Sequence, residues 1–483
     1  MVNFNKIINS FLFIAIVLSI IFRVYNINYD DLWFDEIATF WVTDPNISFS
    51  DFIERNNISE GSPYFYYFLI YFIHKIFGYD PEIGRYLSFF LGVLSIFSSA
   101  YLCLLIKKNN SFKLSLFLLS FNVFLIIYSM ELRLYMLLFF LSSLTLIFFI
   151  KYFEDLKNNK DSNLILLFLA ISQILNSFTH PFSIIIFFSI SLFLLINYLK
   201  YKIIYKKLIY SLIITFFLIF LFTFYFYIIN ENFSDYNWVI QPGIKFYTNF
   251  YFSKFFGSRL LGVIYLILLF YLIIKFRKIV FDFNGSISFL FCMIILSYSL
   301  PLIFGLYKPI ILGRYIIFVL IPIILLISNL IFEIKNKSLK NAFIAMLVLS
   351  TSLNQLTETN VKQFFSERNH YKPEYKKTMN YLNKSNTKNY SVLVNFSSYN
   401  KKDIKEKAYL NYLSILSKNE NLNLRPIKFE EINKKKITNL WILCSKLVNK
   451  NCAISNEDLD IEYTVLDRKK FINLDAILIS LSN

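Results

Sequence analysis

The chain has 483 residues, of which 56% are hydrophobic and 20% aromatic, and its mean hydropathy is +0.52. This composition excludes a soluble globular protein and indicates a membrane protein with many helices across the bilayer. The formal net charge of +17 does not indicate a nucleic-acid partner, because the basic residues cluster in short loops between apolar runs. Basic loops of this kind mark the cytoplasmic side of a membrane protein. These loops are 107–108, 151–160, 200–207, 277–278 and 335–340.

Eleven apolar runs are near the length of roughly 17–25 residues that a spanning helix needs. With the N-terminus in the cytoplasm, every basic loop falls on the cytoplasmic side and the C-terminus lies outside. No small-residue cleavage site follows the first run, so we expect an uncleaved first span. The runs are 7–25, 86–106, 113–129, 134–150, 164–180, 183–199, 208–228, 259–276, 287–304, 314–333 and 341–357.

The first external loop contains a further apolar run, Pro63–Phe77, which we do not count as a span. Counting it would place the later basic loops outside the cell, against the charge pattern. The run is also short, rich in Tyr, and carries His74 and Lys75. We therefore expect an amphipathic or re-entrant helix on the outer surface, within a loop from 26 to 85. A second long external loop covers 230–258, and long loops are where function concentrates.

Two adjacent acids, Asp35 and Glu36, follow the first apolar run directly. Acidic residues held at a membrane surface are costly and indicate function. The alternative is that they cap the helix that follows, because Asp and Glu favour a first helical turn. Their position alone leaves both interpretations open.

The composition changes near residue 359 to one rich in Lys, Asn, Glu and Ser. Short apolar runs at 391–396, 440–444, 461–466 and 476–481 alternate with a helical stretch at 403–417. We therefore predict two domains, a membrane domain of residues 1–358 and a small extracytoplasmic α/β domain of residues 359–483. Nothing in the second domain indicates catalysis. Its Cys444 and Cys452, with seven residues between them, would close a small disulfide loop in an oxidising compartment.

Six motifs in the membrane half occur in an order that resembles the GT-C glycosyltransferases. The closest resemblance is to the branch that holds protein O-mannosyltransferases and the bacterial sugar and aminoarabinose transferases that modify lipid A. The motifs are Asp35-Glu36, Gly-Ser-Pro-Tyr-Phe-Tyr-Tyr at 61–67, Phe77-Gly78 with Arg-Tyr-Leu-Ser at 85–88, Tyr-Ser-Met-Glu-Leu-Arg-Leu-Tyr at 128–135, Thr179-His180 and Arg314-Tyr315.

The resemblance implies an all-α polytopic membrane protein of about eleven spans, with surface helices in the first external loop. It also implies an enzyme that transfers a sugar from a polyprenyl-phosphate carrier to an acceptor hydroxyl. The acceptor would be lipid A or lipopolysaccharide, a cell-surface glycan or a protein. The reaction would take place at the outer face of a bacterial cytoplasmic (inner) membrane, among membrane lipids and without nucleic acid.

The acidic residues would supply the base that takes the acceptor proton, like the carboxylate of inverting glycosidases. Asp35 is the predicted base, and Glu36 would orient Asp35 or a neighbouring arginine. Glu60 would act as an acid near the donor sugar or as a metal ligand.

Cationic side chains would stabilise the departing lipid phosphate. Arg133 and Arg314 are the predicted phosphate ligands, with Glu131 and Tyr135 beside Arg133 in its motif. Two further cations, Arg259 and Lys254, are the second choice. The alternative for each arginine is that it extends from a helix end to the lipid headgroups.

Because the sequence departs from the family pattern, it is open whether the protein binds a divalent metal. No other cofactor is indicated. Glu60 matches the family's metal-binding Glu, but Gly61 stands in the place of its Lys and Ser62 in that of its His. The metal-binding His of the later loop has no counterpart in 230–258. An aminoarabinose donor is therefore less strongly indicated than another sugar.

Two other functions compete with this one. A flippase or transporter of lipid-linked sugars would show internal repeats and charged or broken helices at mid-membrane, whereas these spans carry almost no charge in their middles. An oligosaccharide polymerase or ligase shares the location and the donor but does not require the Asp-Glu pair.

Overall fold

The computed structural model describes residues 4–25, 27–28, 30–60, 63–106, 109–229, 254–307, 312–358, 372–384, 391–395, 402–419, 425–426, 439–446, 452 and 462–481. The chain forms two compact units. The first, here called the helical unit, contains Met1–Tyr25, Gly61–Leu69 and Gly84–Glu367. The second, here called the sheet unit, contains Asn26–Glu60, Ile70–Ile83 and Arg368–Asn483. The C-terminal region therefore shares a unit with most of the first predicted loop, and the domain boundary after residue 358 stays a prediction.

The apolar runs predicted to span the membrane are helical, with a break in the run 113–129. Six helices are long and apolar enough to cross a bilayer, namely Pro81–Leu105, Tyr135–Lys157, Pro181–Tyr201, Lys206–Phe226, Ser286–Leu306 and Gly313–Phe332 among the described residues. A multi-pass helical membrane protein is thus confirmed, while the count of eleven spans stays a prediction. The α-helices that correspond to the apolar runs are Phe4–Val24, Pro81–Leu105, Asn109–Ser120, Val123–Tyr128, Tyr135–Lys157, Asn163–Ser177, Ile184–Tyr201, Lys206–Ile229, Arg259–Lys275, Ser286–Tyr307, Leu320–Phe332 and Lys337–Glu358.

Shorter elements join these helices. The apolar run in the first loop forms the helix Phe65–Phe77, which at 13 residues is shorter than the spans. A four-residue helix, Arg277–Val280, follows one span. In the described part of the chain, the 3-10 helices are Pro181–Ser183, Lys254–Phe256 and Gly313–Val319.

Burial separates central helices of the helical unit from peripheral ones. The span Gly313–Phe332 is 89% buried, whereas Lys206–Phe226 is only 22% buried and exposes many large apolar side chains. A helix that is apolar on all sides and buried on all sides lies inside a bundle, and one that exposes an apolar surface faces lipid. The motif at 128–135 packs closely on the span Pro81–Leu105 through Gly84 and Gly92. A Cβ at either glycine would lie 2.2 Å from a side-chain atom of Leu132 or Ser129.

The run 113–129, expected as one continuous span, is instead two helices with a break at Phe121 and Asn122. The break is stable because polar side chains satisfy the backbone groups that it releases. The carboxamide of Asn122 accepts a hydrogen bond from the Leu125 N–H at 3.0 Å. Arg23 donates to the Ser120 carbonyl at 2.8 Å, and Gln355 donates to the Phe121 carbonyl.

The sheet unit contains the predicted α/β fold. Among the described residues, its helices are Phe34–Val42, Phe49–Ser59, Tyr375–Lys384, Lys402–Asn419 and most of Phe65–Phe77. Its strands are β1 (Ser391–Asn395), β2 (Arg425–Pro426), β3 (Asn439–Ser445), β4 (Tyr463–Phe471) and β5 (Leu474–Leu481), in the spatial order β2-β1-β3-β5-β4. Strand β1 pairs in parallel with β2 and β3, and β5 pairs antiparallel with β3 and β4.

The core of the sheet lies on β3 and β5, whose residues are almost all buried, while β4 is exposed along its length. Continuous apolar runs such as Leu440–Cys444 are typical of strands buried on both faces. Cys444 on β3 and Cys452 form a disulfide, as the sequence predicts for an oxidising compartment.

Candidate functional site

The predicted base, Asp35, lies in the first turn of the helix Phe34–Val42 and is half-buried. This helix begins at Trp33, whose N–H donates to Glu36 Oε2 at 3.4 Å. A Glu three residues after the capping position reaches back to the cap in this way. Glu36 therefore caps this helix, and Asp35 lies in the same first turn, where an acidic side chain is favourable.

Glu36 also forms an ion pair. Its side chain is 0% exposed, and its Oε2 lies 2.7 Å from the Nζ of Lys372. The sequence assigned Glu36 to orienting Asp35 or an arginine, and it did not single out Lys372. Nothing local could have identified this lysine, because the two residues are 336 positions apart.

The structure brings Glu60 to the helix that carries Asp35 and Glu36. Glu60 ends the helix Phe49–Ser59 and is only 5% exposed. The hydroxyl of Thr39 lies 3.1 Å from Glu60 Oε1 and 3.0 Å from the backbone oxygen of Asp35. The three predicted acids are therefore held on adjoining helices, with Thr39 as a link that sequence reasoning missed.

The end of the same helix is fixed by buried polar contacts. His74 Nδ1 lies 3.0 Å from the Thr43 oxygen, and the Tyr79 hydroxyl donates to the Phe40 oxygen at 2.8 Å. Burial lowers the pKa of His74 below its usual value, so the ring is neutral at neutral pH and Nδ1 donates to Thr43. Stacking of Phe40 on Tyr79, with ring centroids 4.0 Å apart, completes the contact.

In the helical unit, the predicted phosphate ligands converge on one aromatic ring. The guanidinium carbons of Arg133 and Arg314 lie 5.9 Å and 5.6 Å from the centre of the Tyr135 ring. Arg133 follows a short irregular segment, in which its N–H donates to the Glu131 oxygen at 2.8 Å, and it is only 7% exposed. Residues from two distant motifs thus form one cationic and aromatic group, here called the arginine cluster.

The arginine cluster extends to the Thr-His motif. The rings of His180 and Tyr315 lie 4.7 Å apart, and Arg314 lies 5.9 Å from the Tyr315 ring. His180 is buried, and its Nδ1 accepts a hydrogen bond from the Phe182 N–H at 3.1 Å. Because Nδ1 is the acceptor, the ring proton of the neutral histidine is on Nε2.

The second-choice cations are placed differently. Arg259 is exposed at the first residue of its helix, which Ser258 caps by accepting from the Leu261 N–H at 3.2 Å. Lys254 begins a 3-10 helix, and its side chain lies outside the described residues. Gly61, Ser62 and most of the second external loop (230–253) also lie outside them.

The described part of the chain shows no set of side chains arranged as metal ligands. No group of three or more His, Cys, Asp or Glu side chains is placed there to hold a metal ion. Glu60, the one residue that matches the family's metal ligands, is hydrogen-bonded to Thr39 instead. Whether the protein binds a divalent metal therefore stays an open prediction, and no step below uses one.

Comparisons with known proteins give a similarity in structure alone. No family model matches the sequence, and no curated protein matches it. ArnT from Cupriavidus metallidurans in the apo state matches with a TM-score of 0.54 and 11% identity, over 98% of this chain and 97% of ArnT. ArnT bound to undecaprenyl phosphate matches with a TM-score of 0.50 and 12% identity, over 98% of both chains.

The oligosaccharyltransferase of Archaeoglobus fulgidus in the apo form also matches. Its TM-score is 0.52 at 12% identity, over 91% of this chain and 69% of that protein. Both neighbours are glycosyltransferases with the GT-C fold, which the six motifs predicted for this chain. The chain therefore has the GT-C fold.

Proposed function

We propose that this protein is a membrane glycosyltransferase that transfers a hexose or pentose from a polyprenyl-phosphate carrier to an acceptor hydroxyl. The observation that supports it most is the arginine cluster, in which Arg133 and Arg314 meet at Tyr135 within a GT-C fold. The fold neighbour ArnT, which matches over nearly its whole length, has been solved with undecaprenyl phosphate bound.

The arginine cluster suits a lipid phosphate for electrostatic reasons. Two guanidinium groups near one ring repel each other, and an anion between them offsets that repulsion. Arginine also presents planar pairs of N–H donors that match phosphate oxygens, and such charge-assisted bonds strengthen as the leaving group gains charge. Arg133 and Arg314 therefore bind the phosphate of the donor and stabilise it as it leaves.

Asp35 acts as the general base in this proposal. The acceptor hydroxyl gives its proton to the Asp35 carboxylate, while its oxygen forms a bond to the anomeric carbon of the sugar. The bond from that carbon to the phosphate oxygen breaks, and polyprenyl phosphate leaves with the electron pair. Attack from the face opposite the leaving group inverts the anomeric configuration, as in inverting glycosidases.

The proposed location is the outer face of a bacterial cytoplasmic membrane. The positions of the basic loops support a first loop and a C-terminal region outside the cytoplasm. The Cys444–Cys452 disulfide supports this placement, because disulfides persist in oxidising compartments and are rare in the cytosol. Lipid A, a surface glycan and a protein are the acceptor classes available there.

Mass spectrometry of envelope lipids and glycoproteins tests the proposal. Cells without this protein should lack one sugar on one envelope component, and Asp35→Asn should fail to restore it at normal protein level. A sugar that returns with Asp35→Asn contradicts an enzymatic role for Asp35. An unchanged envelope in cells without the protein contradicts the proposed function.

A further inference from the structure

The acidic segment 31–36 is bound on several sides by residues of the C-terminal region. The first contact is the ion pair between Glu36 and Lys372, which lies just before the helix Tyr375–Lys384. The second is a hydrogen bond of 2.8 Å from the backbone N–H of Lys376 to Asp31 Oδ2. This bond uses one of the N–H groups that the first turn of a helix leaves without an intrahelical partner.

Aromatic contacts add to these polar ones. Phe34, next to Asp35, stacks on Tyr409 of the helix Lys402–Asn419, with ring centroids 5.9 Å apart. Further along, the hydroxyl of Tyr79 lies 2.8 Å from both the Phe40 oxygen and the Asn411 side-chain oxygen. The helix Lys402–Asn419 thus contacts the start of the helix Phe34–Val42 through Tyr409 and its end through Tyr79.

The ion pair joins the C-terminal region to the turn that carries Asp35. Glu36 is 0% exposed, and removing one partner of a buried ion pair is strongly destabilising. The first helical turn would then shift to hydrate Glu36. Asp35 lies in that same turn and would move with it.

We infer that the C-terminal region holds the acidic segment in its working geometry, and that Lys372 is the positioning residue for the Asp35 carboxylate. The inference rests on the proposed function for the role of Asp35. Its structural part, the restraint of the helix Phe34–Val42 by Lys372, is independent of the reaction.

Three variants of the full-length protein in detergent test the inference. Lys372→Met removes the cation and keeps an apolar stem, Lys372→Arg keeps the charge, and Lys377→Met is the matched control. Lys377 makes an ion pair at 2.6 Å with Glu374, so this variant also removes the cation of a carboxylate in the C-terminal region, but it leaves the ion pair between Glu36 and Lys372 in place.

The first measurement is amide hydrogen exchange of residues 34–42, which requires no substrate. Lys372→Met should exchange faster than wild type, while Lys372→Arg and Lys377→Met should match it. The second measurement is transfer from undecaprenyl-phosphate-linked hexoses and pentoses to membranes of cells that lack the protein. Lys372→Met should lower kcat by about 10²-fold, the effect of a small misplacement. The KM for the donor should stay unchanged, and Lys372→Arg should recover most of the rate.

The two measurements together separate the structural part of the inference from its catalytic part. Wild-type exchange and wild-type kcat in Lys372→Met overturn the inference. Faster exchange with unchanged kcat overturns the positioning role, because Lys372 would then restrain a helix that catalysis does not need. Faster exchange in a protein that transfers no sugar in any form supports the restraint and contradicts the proposed function instead.

Discussion

Removing one arginine of the arginine cluster should weaken donor use by a calculable amount. Arg133→Ala or Arg314→Ala removes one charge-assisted partner of the phosphate, worth about 1.5–3 kcal/mol. At about 1.4 kcal/mol for each tenfold change, kcat/KM for the donor should fall by roughly 10- to 150-fold. Both guanidinium groups lie within 6 Å of the Tyr135 ring, so we expect their effects to be coupled. The loss of transition-state stabilisation in the double variant should differ from the sum of the losses in the two single variants by more than about 0.5 kcal/mol.

The assay is initial-rate transfer at varied donor concentration, with membranes of cells lacking the protein as the acceptor. Lys at either position should restore only part of the rate, because an ammonium cannot make a bidentate contact. Arg277→Ala is the control, since Arg277 is exposed in the short helix Arg277–Val280, and it should transfer at the wild-type rate. Wild-type kcat/KM in both Arg133→Ala and Arg314→Ala would refute the assignment and leave these arginines as headgroup anchors.

Three further predictions concern topology, packing and pH. With a membrane-impermeant thiol reagent, Asn46→Cys should be labelled in intact cells and Lys160→Cys only after permeabilisation. The reverse labelling pattern would show that the predicted topology is inverted. Gly92→Ala should lower the melting temperature, because its Cβ would lie 2.2 Å from Ser129 Oγ and overpacking costs about 1–3 kcal/mol. Gly285→Ala, whose Cβ meets nothing closer than 3.4 Å, is its control, and equal melting temperatures would contradict the packing. Burial lowers the pKa of His74 in the folded protein, so below pH 6.5 the unfolded state binds more protons at His74 than the folded state does. The free energy of unfolding should therefore be unaffected by His74 above pH 6.5 and should decrease as the pH falls below it. Between pH 7 and pH 5, the melting temperature of His74→Gln should fall by less than that of the wild type. An equal fall would show that His74 does not cause the loss of stability in acid.

The helices of the membrane domain could be predicted from the sequence because lipid imposes a strong and local rule. In the bilayer core, a run of about 20 apolar residues can form all its backbone hydrogen bonds within itself only as a helix. The break at Phe121 and Asn122 could not be predicted in the same way. It depends on Arg23 and Gln355, which come from distant helices to satisfy carbonyls near the break.

The candidate site was predicted in part. The motif order identified the two arginines that meet at Tyr135, although no local rule places Arg314 near Arg133. The acids Asp35, Glu36 and Glu60 were also identified, and the structure adds Thr39, whose hydroxyl lies near Glu60 and the backbone oxygen of Asp35. Their catalytic and binding roles stay predictions.

Lys372 shows where sequence reasoning stops. The chain has 49 lysines and arginines, and residue type alone does not distinguish one of them from another. One that pairs with a fully buried carboxylate 336 positions away has no local signature. Only the fold shows that this lysine meets Glu36.

The rate of sugar transfer by purified Asp35→Asn protein tests the central claim most directly. Asn keeps the size of the side chain and its ability to accept hydrogen bonds at a helix start, but it cannot take up the acceptor proton. We expect normal expression, normal membrane insertion and a rate lower by roughly two to four orders of magnitude, the usual effect of a positioned general base. Near-normal transfer would move the assignment to Glu36 or Glu60, and wild-type rates for substitutions at all three acids would contradict the glycosyltransferase itself.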